Sequence, residues 1–456
     1  MTAPQAGTRA AGGDDGGRGD VRRALGNMVA KAGSLVVERG AQLALFLVAA
    51  PLLGPAAFGR FSYLLSITAL LAFGTDLGLT LWMTRALARE PGLAARALGT
   101  AYHLRLYALA PYFLCLGAVA LGLGSGEERA ALFPIGVASL ARAVLDHARA
   151  IFRARERIGD EGKVNAVVAT LATLGALAAL VITRRGVPAL ALGLMAGTLA
   201  GAVYGFALLG RNYGRWTGPF DRALARRMLR EGLTFWIAGL LSLAYSRGDV
   251  VVLRALTSDA EVGVYRAAVH LFDVAKNVPA VVMTAMFPQL ARMFRQARPR
   301  LRRRERGVAL SLLGAGLLAG GLLATAAALV ARRILGPEFV RVVPVLHILA
   351  LALPLVFVNC ALTHFLLARD LGGLNLIFTG LMIPVDFGAN LALSRRLGAP
   401  GAAWSVLLAE ALLTGCCLLA LRGARRADSH VVIDGPAPAA ASTGACALDV
   451  SGPRDR

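Results

Sequence analysis

Residues 52–61 read L-L-G-P-A-A-F-G-R-F, and residues 256–265 read L-T-S-D-A-E-V-G-V-Y. Without a gap, Leu52 aligns with Leu256, Ala56 with Ala260, Gly59 with Gly263 and Phe61 with Tyr265. Each stretch lies between two long apolar runs, the first and second of a set of six. The second set begins after an even number of runs, so both sets share one orientation. This pattern predicts two parallel six-helix bundles related by an axis along a membrane normal.

The solvent follows from composition. The chain has 456 residues, 57% of them hydrophobic and only 17% charged. Its mean hydropathy is +0.62. So much apolar surface does not fit one aqueous core, and the membrane class follows. A bilayer core takes about 20 apolar residues per helix. Twelve runs meet that length, near 28–52, 60–83, 100–123, 131–152, 164–183, 187–209, 232–255, 262–288, 307–331, 342–367, 372–394 and 400–421. Short Gly/Pro turns join them, among them L-G-P-A-A-F-G at 53–59 and R-L-G-A-P at 396–400. The expected fold is all-α integral membrane, with twelve transmembrane helices. The expected organisation is a disordered cytoplasmic arm (1–24), an N-terminal bundle (25–210), a cytoplasmic linker (211–231), a C-terminal bundle (232–422) and a disordered tail (423–456).

The net charge of +22 is almost entirely arginine, since Lys31, Lys163 and Lys276 are the only lysines. With a cytoplasmic N-terminus, about 25 basic residues fall on inside loops and about 9 on outside ones, the N-terminal arm left aside. Both termini are therefore expected in the cytoplasm. The run R-M-F-R-Q-A-R-P-R-L-R-R-R-E-R at 292–306 reads as a loop facing anionic lipid rather than as a nucleic-acid patch. No nucleic-acid partner is expected.

Charges inside the apolar runs are costly and should face protein or a water-filled path. The first helix carries Glu38, Arg39 and Gln42, and the seventh Arg247 and Asp249. The fourth carries Arg142, Asp146, Arg149 and Arg153 at i, i+4, i+7 and i+11, which puts all four on one face. The eighth repeats that spacing with Arg266, His270, Asp273 and Asn277, and Lys276 lies beside the stripe. One reading is mutual neutralisation by pairs such as Arg142–Asp146 and Asp273–Lys276. The other is a hydrated passage, favoured because buried pairs rarely repay their desolvation. Cations exceed anions in these stripes, which fits anionic cargo, and the arginine fork matches phosphate oxygens. Asp146, Asp249 and Asp273 are candidates for a coupling ion or a charge relay, and Asp249 equally for holding Arg247 in place. Asp76, Asp386 and Glu410 read as isolated acids. Arg60, Arg85, Arg254 and Arg369 lie near helix ends, where their long stems reach the interface.

The chain has no GxxxxGK[ST], HExxH or GxSxG motif. Its five cysteines form no CxxC or Cys/His cluster. No catalytic residue, metal or cofactor is expected, and the chain reads as a gradient-driven transporter rather than an enzyme.

Specific residues then carry a family resemblance. The stretch D-V-V-V-L-R-A-L-T-S-D-A-E-V-G-V-Y-R-A-A-V-H-L at 249–271 and F-P-Q-L-A-R-M-F at 287–294 resemble the middle of Wzx-type polysaccharide-repeat-unit flippases. L-G-P-A-A-F-G-R-F-S-Y at 53–63 and T-D-L-G-L at 75–79 match in the first half. These flippases belong to the multidrug/oligosaccharidyl-lipid/polysaccharide transporter superfamily, and the resemblance spans about residues 25–422. It implies two lobes around a central cavity and alternating access. The implied cargo is a polyprenyl-diphosphate-linked oligosaccharide, moved across the bacterial inner membrane. The resemblance also implies cationic cavity residues that engage the diphosphate. By position these are Arg39, Arg142, Arg149, Arg247 and Arg266, a transfer that is not motif-exact. Expected partners are the lipid-linked oligosaccharide, the lipid bilayer, a polysaccharide polymerase and glycosyltransferases. Two other functions remain: a multidrug or cation exporter of the same superfamily, disfavoured by the positive excess, and a non-transporting scaffold or glycosyltransferase.

Overall fold

The computed structural model describes residues 15–213, 218–280, 282, 283, 286, 298–369 and 371–433. Among these there are helices and no strand. The motif at 287–294 and the start of the basic run at 292–297 lie outside them.

The helices are α1 (Asp15–Gly74), α2 (Leu79–Arg89), α3 (Ala94–Gly122), α4 (Gly126–Ala154), α5 (Ile158–Thr183) and α6 (Gly186–Tyr213). They continue as α7 (Arg222–Leu256), α8 (Asp259–Lys276), α9 (Arg298–Leu329), α10 (Val342–Ala368), α11 (Gly372–Leu397) and α12 (Ala399–Ile433). Ten helical stretches are long and apolar enough to cross a membrane. The first, Gly33–Gly74, has 42 residues. At about 1.5 Å per residue, that is twice what one crossing needs. It is two limbs meeting at Gly54, whose φ of 74° and ψ of 169° are not helical. Helix α8 has 18 residues and carries Asp259, Glu261, Arg266, Asp273 and Lys276, so it is not among the ten. Counting the two limbs of α1 and adding α8 accommodates the twelve expected crossings.

Several boundaries differ from the expectation, for local reasons. Residues 53–59 are not an open turn: Gly54 alone leaves the helical region, and Pro55 sits in the first turn of the second limb, where its missing N–H costs nothing. The helix expected over 60–83 breaks at 75–78, where Leu77 has φ 51° and Gly78 φ 75°. The one expected over 262–288 is interrupted at Asn277: α8 ends at Lys276, and helical backbone resumes at 278–280. Helix α7 starts at Arg222, inside the expected linker, because the Asp221 carboxylate accepts from the N–H groups of Ala223 and Leu224, both at 3.0 Å. Residues 15–24 lie in α1, and α12 runs to Ile433, past the expected end.

Both halves pack by one plan. In the first half α5 packs on α6, α4 on α6, α1 on α5 and α4, and α3 on α4. In the second half α11 packs on α12, α10 on α12, α7 on α11, α8 on α10, and α9 on α10. Each contact has its counterpart at the equivalent position of the other six helices. Small residues permit the closest approaches: a Cβ at Gly193 would lie 2.1 Å from the Gly175 carbonyl oxygen.

The halves meet at the aligned decapeptides. A Cβ on Gly59 would lie 1.8 Å from the Asp259 carbonyl oxygen, and one on Gly263 would lie 1.9 Å from the Pro55 carbonyl oxygen. Asp259 aligns with Pro55 as Gly263 does with Gly59, so the contact is reciprocal. The pseudo-two-fold axis passes between these two glycines, and only glycine allows that approach.

Candidate functional site

The face holding Gly54, the α3–α4 turn and the α7–α8 turn is termed the turn face, and the opposite one the terminal face. At the turn face, ion pairs extend the glycine contact. Arg254 reaches Glu128 of the first half at 2.6 Å and Asp259 of its own half at 2.7 Å, with its guanidinium 4.8 Å from the Tyr63 ring centre. Arg60 lies 3.8 Å from Asp259 and 3.4 Å from Glu127. Arg60 and Arg254, expected to extend freely to the interface, are instead ion-paired between the halves. Below this rim, His270 of α8 stacks on Phe46 at 5.0 Å between ring centres, and Phe46 packs on Phe58 at 5.7 Å. The turn face is thus closed by two layers, one ionic and one aromatic.

Under the aromatic layer lie most of the sequence candidates. Arg247 is within electrostatic reach of Arg266, Asp249, Asp273 and Arg142. Arg142 has Arg149, Glu38 and Asp146 in its own neighbourhood. One half therefore contributes Arg142 and Arg149 on α4, and the other Arg247 on α7 and Arg266 on α8. The α4 stripe exists because its polar side chains recur at helical spacing, while Leu145, Ala148 and Ile151 of its other face are buried. Arg266 is 7% exposed, and its Nε has no hydrogen-bond partner. Arg39 stands apart: it is exposed and donates to Gln42, at 3.3 Å.

The acids divide the cations unequally. Asp146 pairs with Arg149 at 2.7 Å rather than with Arg142. Arg153 turns to Glu161, at 3.8 Å. Asp273 pairs with Lys276 at 3.2 Å. Asp249 accepts from the Tyr265 hydroxyl at 2.6 Å and the Val250 N–H at 2.8 Å. That fixes the Asp249 carboxylate beside Arg247 without a direct pair. Arg142 and Arg266 are left within electrostatic reach of Arg247, cations drawn from both halves.

Sequence reasoning missed three groups. Asp76 is not isolated: it faces Arg105 at 3.4 Å and His147 at 3.9 Å. Glu410 accepts from Asn359 at 2.7 Å, and Thr414 donates to Asn359 at 2.8 Å. Arg369 does not extend to an interface but is buried, with a bidentate pair to Glu305 at 2.8 and 2.9 Å. Each partner lies at least 29 residues away, beyond any spacing rule.

The profile of the polysaccharide biosynthesis protein family matches residues 25–294. No curated protein matches the chain. Among solved structures, an inward-facing multidrug resistance MATE family transporter of the MOP superfamily superposes with a TM-score of 0.70 and 13% identity. That alignment covers 90% of this chain and 99% of the transporter. The lipid II flippase MurJ in an inward closed conformation gives 0.60 at 10% identity, over 87% of each chain. An outward-facing MATE family transporter gives 0.57 at 15% identity, over 90% of this chain and 97% of that one. With a family match over more than half its length and this shared fold, the chain is a multi-pass membrane protein that belongs to the polysaccharide biosynthesis protein family.

Proposed function

We propose that the protein is a flippase for a polyprenyl-diphosphate-linked oligosaccharide, working by alternating access in a bacterial inner membrane. The observation that carries this reading is the cluster of Arg142, Arg247 and Arg266, contributed by both halves. A diphosphate held there contacts both lobes, so a rocking motion about the Gly59–Gly263 contact changes which face it meets. Arg149 lies beside Arg142 and joins the substrate set, and Arg39 guards the approach from the terminal face. Asp146, Asp249 and Asp273 are the acids through which a coupling ion or a charge relay would act. The positive-inside distribution puts the terminal face in the cytoplasm, and with it both termini. In this state the closed turn face is the outer one. A polysaccharide polymerase and glycosyltransferases are the enzymes that would make and consume such a cargo.

The test is transfer of a fluorescent polyprenyl-diphosphate oligosaccharide between leaflets of proteoliposomes. Combined Arg149→Ala and Arg247→Ala should slow it at least tenfold, the effect of about 1.4 kcal/mol of lost diphosphate binding. Unchanged transfer would remove these arginines from the site. Export of a cationic drug, abolished by Asp249→Asn, would put the multidrug exporter in its place.

A further inference from the structure

The first half contains a second charged cluster that the transport reading does not use. It sits where the second membrane helix breaks, at Thr75–Gly78, inside a separate apolar cluster that includes Leu79, Met83, Leu98, Ala101, Leu145 and Val168. Asp76 is 8% exposed, Arg105 2% and His147 0%. Arg105 holds the break twice, its Nε donating to the Thr75 carbonyl and its Nη2 to the Asp76 carboxylate, both at 3.4 Å. Thr80 also donates to that carboxylate. His147 presents Nδ1 to Asp76 at 3.9 Å and to Thr80 at 3.5 Å, and stacks on the Tyr102 ring at 6.1 Å.

Three polar atoms in this cluster are buried without a partner: Arg105 Nη1, His147 Nε2 and the Tyr102 hydroxyl. Orphaned buried polar atoms are rare, and three in one cluster need a reason. The titratable and charged groups around His147 are Asp76 on the break, Tyr102 and Arg105 on α3, and Asp146 on α4. Helix α6 contributes the Phe206 ring, edge-on to Tyr102, and apolar side chains such as Ala202 and Leu209.

We propose that this cluster is a proton-binding site, with His147 Nε2 as the acceptor and the break at 75–78 as the responding element. Proton release leaves the Asp76–Arg105 pair neutral, and Arg105 pins the break. Proton uptake from water at His147 Nε2 creates an imidazolium within ion-pair distance of the Asp76 oxygen that Arg105 holds. The two cations then compete for one carboxylate, and the clamp on Thr75 and Asp76 loosens. A metal cation fits poorly, since it would have to displace the guanidinium, and an anion would meet Asp76.

The break is also a joint between the halves. Gly78 abuts the Gly232 carbonyl of α7, where a Cβ would lie at 2.0 Å. On one side of the break Trp236 donates to the Phe73 carbonyl at 3.4 Å, and on the other Trp82 donates to Glu231 at 2.6 Å. Proton occupancy thus sets how firmly α7 is held against the first half. The proposal does not require the diphosphate cargo.

The two flanking tryptophans supply the readout. The full chain carrying Trp216→Phe and Trp404→Phe is placed in lipid nanodiscs, and emission is followed from about pH 8 to about pH 4, a range that brackets histidine and carboxylate titration. The expected result is one reversible transition that is lost in His147→Gln and in Asp76→Asn but kept in His347→Gln. Absence of the transition in the parent, or its survival in either His147→Gln or Asp76→Asn, overturns the proposal. Loss in Asp146→Asn with retention in His147→Gln assigns the proton to the α4 stripe and overturns it as well. Because no cargo is added, failure of the flippase reading leaves this result intact.

Discussion

The second membrane helix of each half is the same element built twice. The two copies touch at Gly59 and Gly263, run side by side, and break at nearly the same register, after Gly74 in one and after Lys276 in the other. Past that point they diverge. The first break is buried and charged, with Asp76 clamped by Arg105 against His147. The second carries Asp273 and Lys276, whose side chains are 32% and 48% exposed. The repeat sets the backbone interruption, and each half fills it with its own chemistry.

A like asymmetry recurs at the terminal face, between a pair that joins the α4–α5 junction and one that ties the end of α10 to the start of α9. The second half has Arg369 and Glu305, with side chains 4% and 3% exposed. The first half has Arg153 and Glu161 at 3.8 Å, and the arginine is 35% exposed. Removing one partner of a fully buried pair strands a charge and typically costs about 3–5 kcal/mol. Glu305→Gln should therefore lower thermal stability in detergent far more than Arg153→Met. Equal losses would show that burial does not separate the two pairs.

Reciprocity at the axis gives the next largest effect. Gly59→Ala and Gly263→Ala each push a methyl group into facing backbone, which cannot rotate aside as a side chain would. Overpacking of this kind costs about 1–3 kcal/mol. Each variant should shift the equilibrium away from the closed turn face, and by equal amounts. Distances between spin labels placed across that face measure the shift. A large shift for one glycine and none for the other would break the symmetry argued from the alignment. Arg254→Met should act in the same direction but more weakly, by about 1 kcal/mol, because its guanidinium keeps some solvent contact.

The smallest effect concerns the start of α7. Backbone N–H donation from Leu224, then the contact with Arg96, holds the Asp221 carboxyl below its usual range. A lowered folded value means that the stabilisation is present above the ordinary carboxylate range. It is lost as pH falls through the folded value. Protection of the Ala223 and Leu224 amides, taken relative to their intrinsic exchange rates, should therefore fall in acid, and Asp221→Ala should remove that pH dependence.

Much of this molecule was legible as a string. The membrane class, the all-helical build and the two-fold plan follow from run length and from the aligned decapeptides. The α4 and α8 stripes also follow, since helical spacing is a local property. The breaks were only half legible. Gly78 is the one permissive residue in T-D-L-G-L, whereas nothing there announces that Leu77 takes a positive φ, and the end of α8 at Asn277 carries no glycine or proline of its own. The roles of Arg60, Arg254 and Arg369 were misread because a cation near a helix end looks alike whether it meets water or an acid on another helix.

Sequence by itself determined that the chain spans a membrane, that it does so in two like-oriented halves, and that cations dominate its polar stripes. Each follows from a period, a length or a count that the bilayer imposes on neighbouring residues. Only the tertiary structure decided that Gly59 meets Gly263 backbone to backbone, and that Arg142, Arg247 and Arg266 share one neighbourhood. It alone showed that Asp76 and His147, 71 positions apart in the chain, share one buried site. Those outcomes depend on which helix faces lie against one another, and packing between distant segments leaves no periodic trace in the order of residues.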